Sequence, residues 1–490
     1  MIIIAAVFLL GFIFAYYLHV KRKHEFWQDQ GVPHPKPVLL FGNIIKMITL
    51  QCTLSEFLNS LYRNYQDSPF VGFYNFLTPA IVLRDPEVIE YCLVKNFDSF
   101  SATLIRPADP IVKLNPFFCE ERMWKALRKL LAPNFSSLKI KLMLDRMERV
   151  GKNMTSYLEG NNCSIRADEL AFMFTGNNVM VCAYGVDNES FLSNSSIMNG
   201  IRDSMSMGTM PITHTLGLFF PNLCKMLNIS YMGKQVPESF KNLIARVVED
   251  RKVDKKEFVD FLKESKMKND LTFLGHAMAF FLDGYETSAN LLTYALLELA
   301  RNPSVQIQAQ NELDDINSAK KSIYSYEALK DMSYLESVVF ETLRKHPVIK
   351  FLNRSCTNEC LMPLPNAHGN ERFVRIKKGT QVFIPVEAIH RDAKYYLDPH
   401  QFNPLRFSET SSSGRTKHTF LGFGYGPRIC LGQQFAVTQL KVALASILLH
   451  FTISINDRTT FPLKKEFYHL TKFPKNKIWL NFTARHVNEL

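Results

Sequence analysis

The stretch Phe420-Leu421-Gly422-Phe423-Gly424-Tyr425-Gly426-Pro427-Arg428-Ile429-Cys430-Leu431-Gly432 constrains this chain more than any other. Its glycines allow a tight loop whose backbone can lie close to a flat ligand, and a helical pattern follows at once from Gln433. A sulfur at the mouth of a helix is stabilised as thiolate by nearby N–H groups, so the loop can present Cys430 to a metal. Arg428, two residues earlier, can pair with an anionic group on the same ligand. A glycine-rich loop with one cysteine is by itself only a turn. The full spacing Phe-x-x-Gly-x-Arg-x-Cys-x-Gly, from Phe423 to Gly432, is far rarer.

The other end of the chain points to a membrane. Met1 to Val20 carries no charge, and at 1.5 Å per residue it can cross a hydrocarbon core of about 30 Å. A cleaved signal would have its basic residues before the apolar run and a small-residue cleavage site after it, whereas Lys21 to His24 follow the run here. Positive charge stays cytoplasmic, so the N-terminus is expected in the lumen of the endoplasmic reticulum and everything beyond residue 20 in the cytosol. Residues 1–20 then form a transmembrane anchor and 21–44 a basic, Pro-rich linker. In the linker, Gly31-Val32-Pro33-His34-Pro35-Lys36-Pro37 enforces extended backbone. Residues 45–490 remain for one catalytic domain.

The formal net charge of +12 would suit nucleic acid, an anionic membrane or an acidic partner. The basic residues are dispersed and no nucleic-acid motif accompanies them, which favours membrane and partner docking. Nine scattered cysteines show no zinc or disulfide spacing and fit a reducing compartment, with eight of them read as plain core or surface thiols. The 39 Phe supply an aromatic-rich core.

Strands are few and short. Phe70–Tyr74 with Ala80–Leu83 reads as one antiparallel pair, and Phe373–Ile376 with Gln381–Pro385 as another around a Lys377–Thr380 turn. Helical spacing covers 120–132, 240–265, 271–301, 325–345 and 433–451, with a Ser/Thr-rich loop at 408–416. The fold class is mainly α with small β sheets.

Through the Cys loop the chain resembles the cytochrome P-450 family of haem-thiolate monooxygenases, and further motifs follow in the family's order. Glu341-Thr342-Leu343-Arg344 matches its Glu-x-x-Arg helix, where i,i+3 spacing lets the two charges pair. The resemblance makes Arg406, in Phe402-Asn403-Pro404-Leu405-Arg406-Phe407, the third member of a structural triad. Trp124-Lys125-Ala126-Leu127-Arg128 matches a Trp-x-x-x-Arg helix whose Trp N–H and Arg guanidinium meet a haem propionate. Arg354 matches another propionate-binding position, and Arg106 is a further one in uncertain register.

Leu271 to Ala300 resembles the long helix over the haem, with Asp283-Gly284-Tyr285-Glu286-Thr287-Ser288 as its oxygen-activating segment. The resemblance implies that Gly284 leaves room for dioxygen, Thr287 hydrogen-bonds in oxygen activation and Glu286 relays protons. Asp283 departs from the family's usual small residue. It could salt-bridge, orient a polar substrate or turn aside; an ester to haem, formed by a Glu here in some relatives, would have one methylene less to reach. His276 lies eleven residues before Thr287 on the same face, about 16 Å away, as a satisfied wall histidine or a substrate contact. Phe280 and Phe281 line the pocket or pack behind it. Residues 103–118, 348–353 (including Phe351) and 467–473 complete the expected wall.

The implied function is insertion of one oxygen atom from O₂ into an apolar xenobiotic, steroid or lipid. Haem b carries the axial Cys430 thiolate, and NADPH electrons arrive indirectly through a membrane-bound cytochrome P-450 reductase, with cytochrome b5 as an auxiliary donor. Lys125, Lys129 and Lys441 are candidate docking charges. The segments around Thr287 and Cys430 look most like the microsomal clan that oxidises steroids, drugs and plant toxins, its insect members above all. A haem-thiolate isomerase or dehydratase would need no reductase, and Glu286 with Thr287 argues against it. A non-catalytic haem or lipid carrier would need no thiolate, and Cys430 with Arg428 argues against that.

Overall fold

A computed structural model describes residues 2–105, 110–119, 121–160, 164–186, 217, 220–227, 229, 241–242, 258, 270–319, 322–364, 372–408, 416–463 and 476–485. The expected helix at 240–265, the loop at 408–416, Arg106 and the wall segment 467–473 lie wholly or mostly outside them. The chain divides into two compact units of interleaved segments. The first is Met1–Leu104, Lys350–Tyr395 and Thr416–Ile429; the second is Ile105–Ile349, Tyr396–Arg415 and Cys430–Leu490. The expected catalytic stretch 45–490 draws on both.

The first unit opens with α1, Ile2–His24, a 23-residue helix long and apolar enough to cross a membrane. The side chains of residues 2–19 are exposed, and cover begins at Val20. The helix runs one turn beyond the expected span: His24 is buried, with Nε2 2.9 Å from the Phe76 carbonyl. Three residues later Trp27 is wholly buried; its ring N–H donates to the Phe73 carbonyl at 3.0 Å and its backbone N–H to the Tyr74 hydroxyl at 2.9 Å. The linker stretch is anchored at this point, because Trp27 buries a large ring while satisfying its polar handle.

Strands β1 (Phe70–Asn75) and β2 (Thr78–Leu83) form the expected antiparallel pair. Strands β3 (Leu352–Ser355), β4 (Cys360–Leu364), β5 (Arg372–Ile376) and β6 (Gln381–Ile384) correct the second expectation. Although consecutive, β5 and β6 do not pair: β5 runs antiparallel to β4, and β6 lies between β2 and β3 in the order β1-β2-β6-β3. Burial explains the choice. Every residue of β6 is buried, as a central strand requires, whereas β5 exposes three of its five.

The second unit is mainly helical. Helix α2 (Glu121–Leu131) turns Trp124, Leu127 and Leu131 inward and leaves Arg122, Lys125 and Lys129 exposed. Helix α3 (Ala167–Val179) packs along α4 (Asp270–Arg301), a 32-residue helix buried along most of its length. The pattern at 325–345 resolves into a short helix, Tyr326–Asp331, and α5 (Ser333–Lys345), interrupted at Met332. Helix α6 (Gln433–His450) is apolar on nearly every face and correspondingly buried. Ser164–Arg166, Trp479–Ala484 and Phe451–Ile455 make a small antiparallel sheet in that order.

Candidate active site

In the first unit, the loop before the cysteine turns at Gly426, whose φ is +74°. A Cβ there would run into the Leu93 carbonyl, so both conformation and space demand glycine. In the second unit, α6 begins with Gly432 at its N-cap, and the Gly432 N–H bonds to the Cys430 sulfur. Burial pushes the thiol up to about 11; the Gly432 N–H opposes this, Asp283 adds to it and Arg128 opposes it. Yet Cys430 is exposed. Cys430 thus combines strong desolvation with an exposed surface. A thiol so placed loses its proton on binding a metal ion.

The same combination recurs on α4. Asp283 is exposed by surface area, but burial raises its carboxyl to about 7; the Asn115 hydrogen bond opposes the rise and Glu286 adds to it. The Asn115 amide donates to both Asp283 oxygens, at 3.1 and 3.2 Å. Among the described residues Asp283 thus turns to an amide and not to a cation. Asn115 was legible only as part of the wall 103–118; its neighbour Pro116 and the Phe117 N–H donated to its side-chain oxygen at 2.7 Å hold the turn that aims it.

Thr287 and Glu286 are half-buried, and the Thr287 hydroxyl donates to the Asp283 carbonyl one turn back at 2.5 Å. A side chain at Gly284 would meet Val179 Cγ2 at 3.3 Å and Phe435 Cε1 at 3.9 Å. Glycine there lets α4 pack closely, a role the sequence did not reveal. Gln439 of α6, also missed, donates to Ser288 Oγ at 2.7 Å and to the Gly284 carbonyl at 3.3 Å, fixing this stretch of helix.

Phe280 packs against Phe135, Phe258 and Phe435, and Phe281 is wholly buried against Tyr285. His276 is 1% exposed and, among the described residues, neither ring nitrogen has a hydrogen-bond partner, which does not match the satisfied wall histidine given as one of its two readings; burial lowers its pKa to about 4. Trp124 is buried on α2, and Arg128 is half-buried, with its pKa lowered by desolvation against the pull of Cys430.

In the first unit Arg354 is buried at the end of β3, with its Nε lacking a partner; desolvation and then Arg428 lower it to about 9. Two guanidinium groups held this close in a dry setting call for an anion. Phe423 is half-buried, and Phe351 is buried with its ring 6.0 Å from that of Phe383.

Glu341 and Arg344 of α5 are both 0% exposed and joined by two hydrogen bonds, at 2.7 and 2.8 Å. The Asn403 N–H donates to Glu341 at 2.9 Å, and Arg406 Nε stands 3.4 Å from the same carboxylate. Arg406 also donates to the Asp398 carbonyl at 2.9 Å. Glu298 of α4, unforeseen, is 1% exposed and pairs with Lys345 at 3.0 Å and His346 at 2.6 Å. Burial would raise its carboxyl, but His346 and Lys345 hold it near about 2. Lys441 is corrected as a docking charge: it stands on buried α6, 4% exposed, and bonds Glu336 at 2.7 Å. Lys125 and Lys129 are exposed.

A model of the cytochrome P450 family matches residues 32–481. The chain is 30% identical to Cytochrome P450 6k1 of Blattella germanica, covering 94% of this chain and 93% of that protein. It is 30% identical to Cytochrome P450 6a2 of Drosophila melanogaster over 94% and 96%, and 29% identical to Cytochrome P450 6B1 of Papilio polyxenes over 99% of each. With the cysteine loop, the long helix α4 and the buried Glu-x-x-Arg pair all matching the family's motifs in sequence, this chain belongs to the cytochrome P-450 family.

Proposed function

We propose that the chain is a membrane-anchored monooxygenase that inserts one oxygen atom from O₂ into an apolar xenobiotic, steroid or lipid, using NADPH electrons passed through a flavoprotein reductase. The family implies haem on a cysteine thiolate, monooxygenase chemistry and a redox partner. The observation that carries the reading is Cys430, desolvated yet bare, in the same unit as the Asp283–Thr287 segment. Apolar α1 supports the anchor, and Lys21–Lys23 after it support a lumenal N-terminus in the endoplasmic reticulum membrane. Exposed Lys125 and Lys129 are docking charges for the reductase and cytochrome b5.

The residues fit haem. In the second unit Cys430 would supply the thiolate sulfur and Trp124 and Arg128 would donate to a propionate; in the first unit Arg354, whose Nε has no partner among the described residues, and neighbouring Arg428 would suit an anionic group. Bound haem with thiolate ligation supplies the O–O cleavage that no side chain can perform, the established rationale for cysteine in this family. The chain's own residues manage protons and water. Thr287 must rotate its hydroxyl away from the Asp283 carbonyl to give a proton elsewhere, a move about one side-chain bond. Glu286, on the same turn, returns that proton. Asp283, near about 7, is divided between its acid and carboxylate forms at neutral pH while Asn115 holds it in place. The aromatic cluster around Phe280 keeps water from that side of α4.

The test is Thr287→Ala, with NADPH, hydrogen peroxide and product measured together in the presence of reductase. Loss of a positioned proton donor costs about 10² to 10⁴ in the step it serves, so product per NADPH should collapse and peroxide should rise. An unchanged coupling ratio in a folded variant would mean that the hydroxyl only caps its own helix, as its bond to Asp283 allows.

A further inference from the structure

The first unit holds a thiol pair that the monooxygenase reading does not use. Cys356 and Cys360 flank the short loop from β3 to β4, close enough for each thiol to shift the other's titration; Cys356 Sγ donates to the Asn358 carbonyl inside that loop at 3.0 Å. The backbone brings them together. Cys360 faces Ile376 across the β4–β5 ladder, and Cys356 Sγ lies 3.8 Å from the carbonyl oxygen of that same Ile376. Both sulfurs therefore stand at one rung. The Cys356 backbone is pinned to Thr380 and Gly379 by bonds of 2.9 and 2.8 Å, so the approach does not depend on a loose loop.

The two cysteines are unequal. Cys356 is buried, whereas Cys360 is partly exposed beside Asn358 and Glu359, which are exposed. A polar network surrounds Cys360: Tyr91 Oη donates to the next carbonyl, Leu361, at 2.8 Å; Asn96 donates to Tyr91 Oη at 3.1 Å; Ser99 donates to Asn96 at 2.9 Å. Asn96 and Ser99 also favour the Cys360 thiolate. Cys356, then these two, hold the Cys360 thiol below its ordinary value, while Cys360 and burial push Cys356 up. Nearby Cys92 lies in the apolar core and is pushed up by burial. One partly exposed thiol whose proton is loosened beside one buried thiol is the arrangement of an attacking and a resolving cysteine.

We propose that Cys356 and Cys360 form a peroxide-responsive pair, in which Cys360 is oxidised first and Cys356 closes the disulfide. The Cys360 thiolate attacks one oxygen of hydrogen peroxide, the S–O bond forms as the O–O bond breaks, and hydroxide leaves and takes up a proton. The Cys356 sulfur, giving up its own proton, then displaces the hydroxyl of the Cys360 sulfenic acid as water. Two thiols lose two electrons and one peroxide becomes two waters. Closing to an S–S length of about 2.05 Å takes side-chain rotation at the Ile376 rung that both cysteines adjoin. The bond closes two residues beyond Arg354, at the end of the same strand.

The test uses the full-length ferric holoenzyme exposed to hydrogen peroxide, then blocking of free thiols, digestion and mass spectrometry. Cys52, partly exposed with its thiol raised by burial, is the internal comparison. Cys356 and Cys360 should disappear together into one disulfide, at least about tenfold faster than Cys52 is oxidised, and dithiothreitol should restore both. In Cys356→Ala, Cys360 should remain as a sulfenic acid trapped by dimedone. Oxidation of Cys360 no faster than that of Cys52 overturns the proposal, as does its passage to sulfinic acid while Cys356 stays free. Because the readout is the thiols themselves, the result does not depend on activity or on the assigned substrate.

Discussion

Replacing Glu341 by Gln keeps the side chain's shape but removes a negative charge that faces a buried guanidinium. Glu341 and Arg344 are both 0% exposed, and the carboxylate accepts from Arg344 at 2.7 and 2.8 Å and from Asn403 at 2.9 Å. Glutamine retains one acceptor oxygen, but its NH₂ must then face a donor, and the buried Arg344 cation loses the carboxylate that pairs with it. Breaking a buried pair on one side costs about 3–5 kcal/mol, against about 1 kcal/mol or less for an exposed pair. That is a factor of about 10² to 10⁴ in the folding equilibrium and a large share of the about 5–15 kcal/mol that a protein has. Arg344→Met should cost less, because Glu341 keeps the Asn403 N–H and nearby Arg406. The double variant should be more stable than the sum of the two singles implies, by about 2 kcal/mol or more. The assay is urea unfolding of equally haem-loaded proteins, followed by tryptophan fluorescence and by the thiolate-type spectrum of the CO complex. Glu341→Gln within about 0.5 kcal/mol of the parent, or strict additivity in the double variant, would refute the buried-pair reasoning.

The Glu298 carboxyl, held near about 2, contributes stability that is complete above its unfolded value near 4.5 and is lost as pH falls through about 2. Glu298→Gln should therefore be less stable than the parent at pH 6, with the gap narrowing below pH 5 in parallel unfolding curves. His276→Leu removes two unpartnered buried nitrogens and should raise stability by about 1 kcal/mol; a loss of that size in a thermal or urea scan would mean that the imidazole has a partner. Deleting residues 2–19 should spare haem binding and weaken membrane partition in a flotation assay, because those side chains are uncovered. Trp27→Ala should cost about 3–5 kcal/mol in the same unfolding assay, because its ring is wholly buried.

What was legible in the sequence is what local geometry dictates. Glu341 and Arg344 meet because residues three apart on a helix are neighbours, and His276, Asp283 and Thr287 share a face because of the 3.6-residue period. The Cys430 loop was readable because a positive φ and a close backbone approach admit little but glycine at Gly426. The apolar run of α1 announced itself by length alone. Partners distant in sequence were not legible, because many residues could occupy the same contact. Nothing local tells β6 to leave its neighbour β5 and insert between β2 and β3. Likewise, Lys441 looks like any surface lysine until α6 is buried around it and Glu336 meets it. Composition and period decided that the chain would make helices, an apolar N-terminal span and a cysteine loop. Only the tertiary structure decided that Asn115 would hold Asp283, that His276 would be left without a hydrogen bond and that Cys356 would reach Cys360. Each of those outcomes depends on which separated segments exclude water from one another, and that is settled only when the whole core packs.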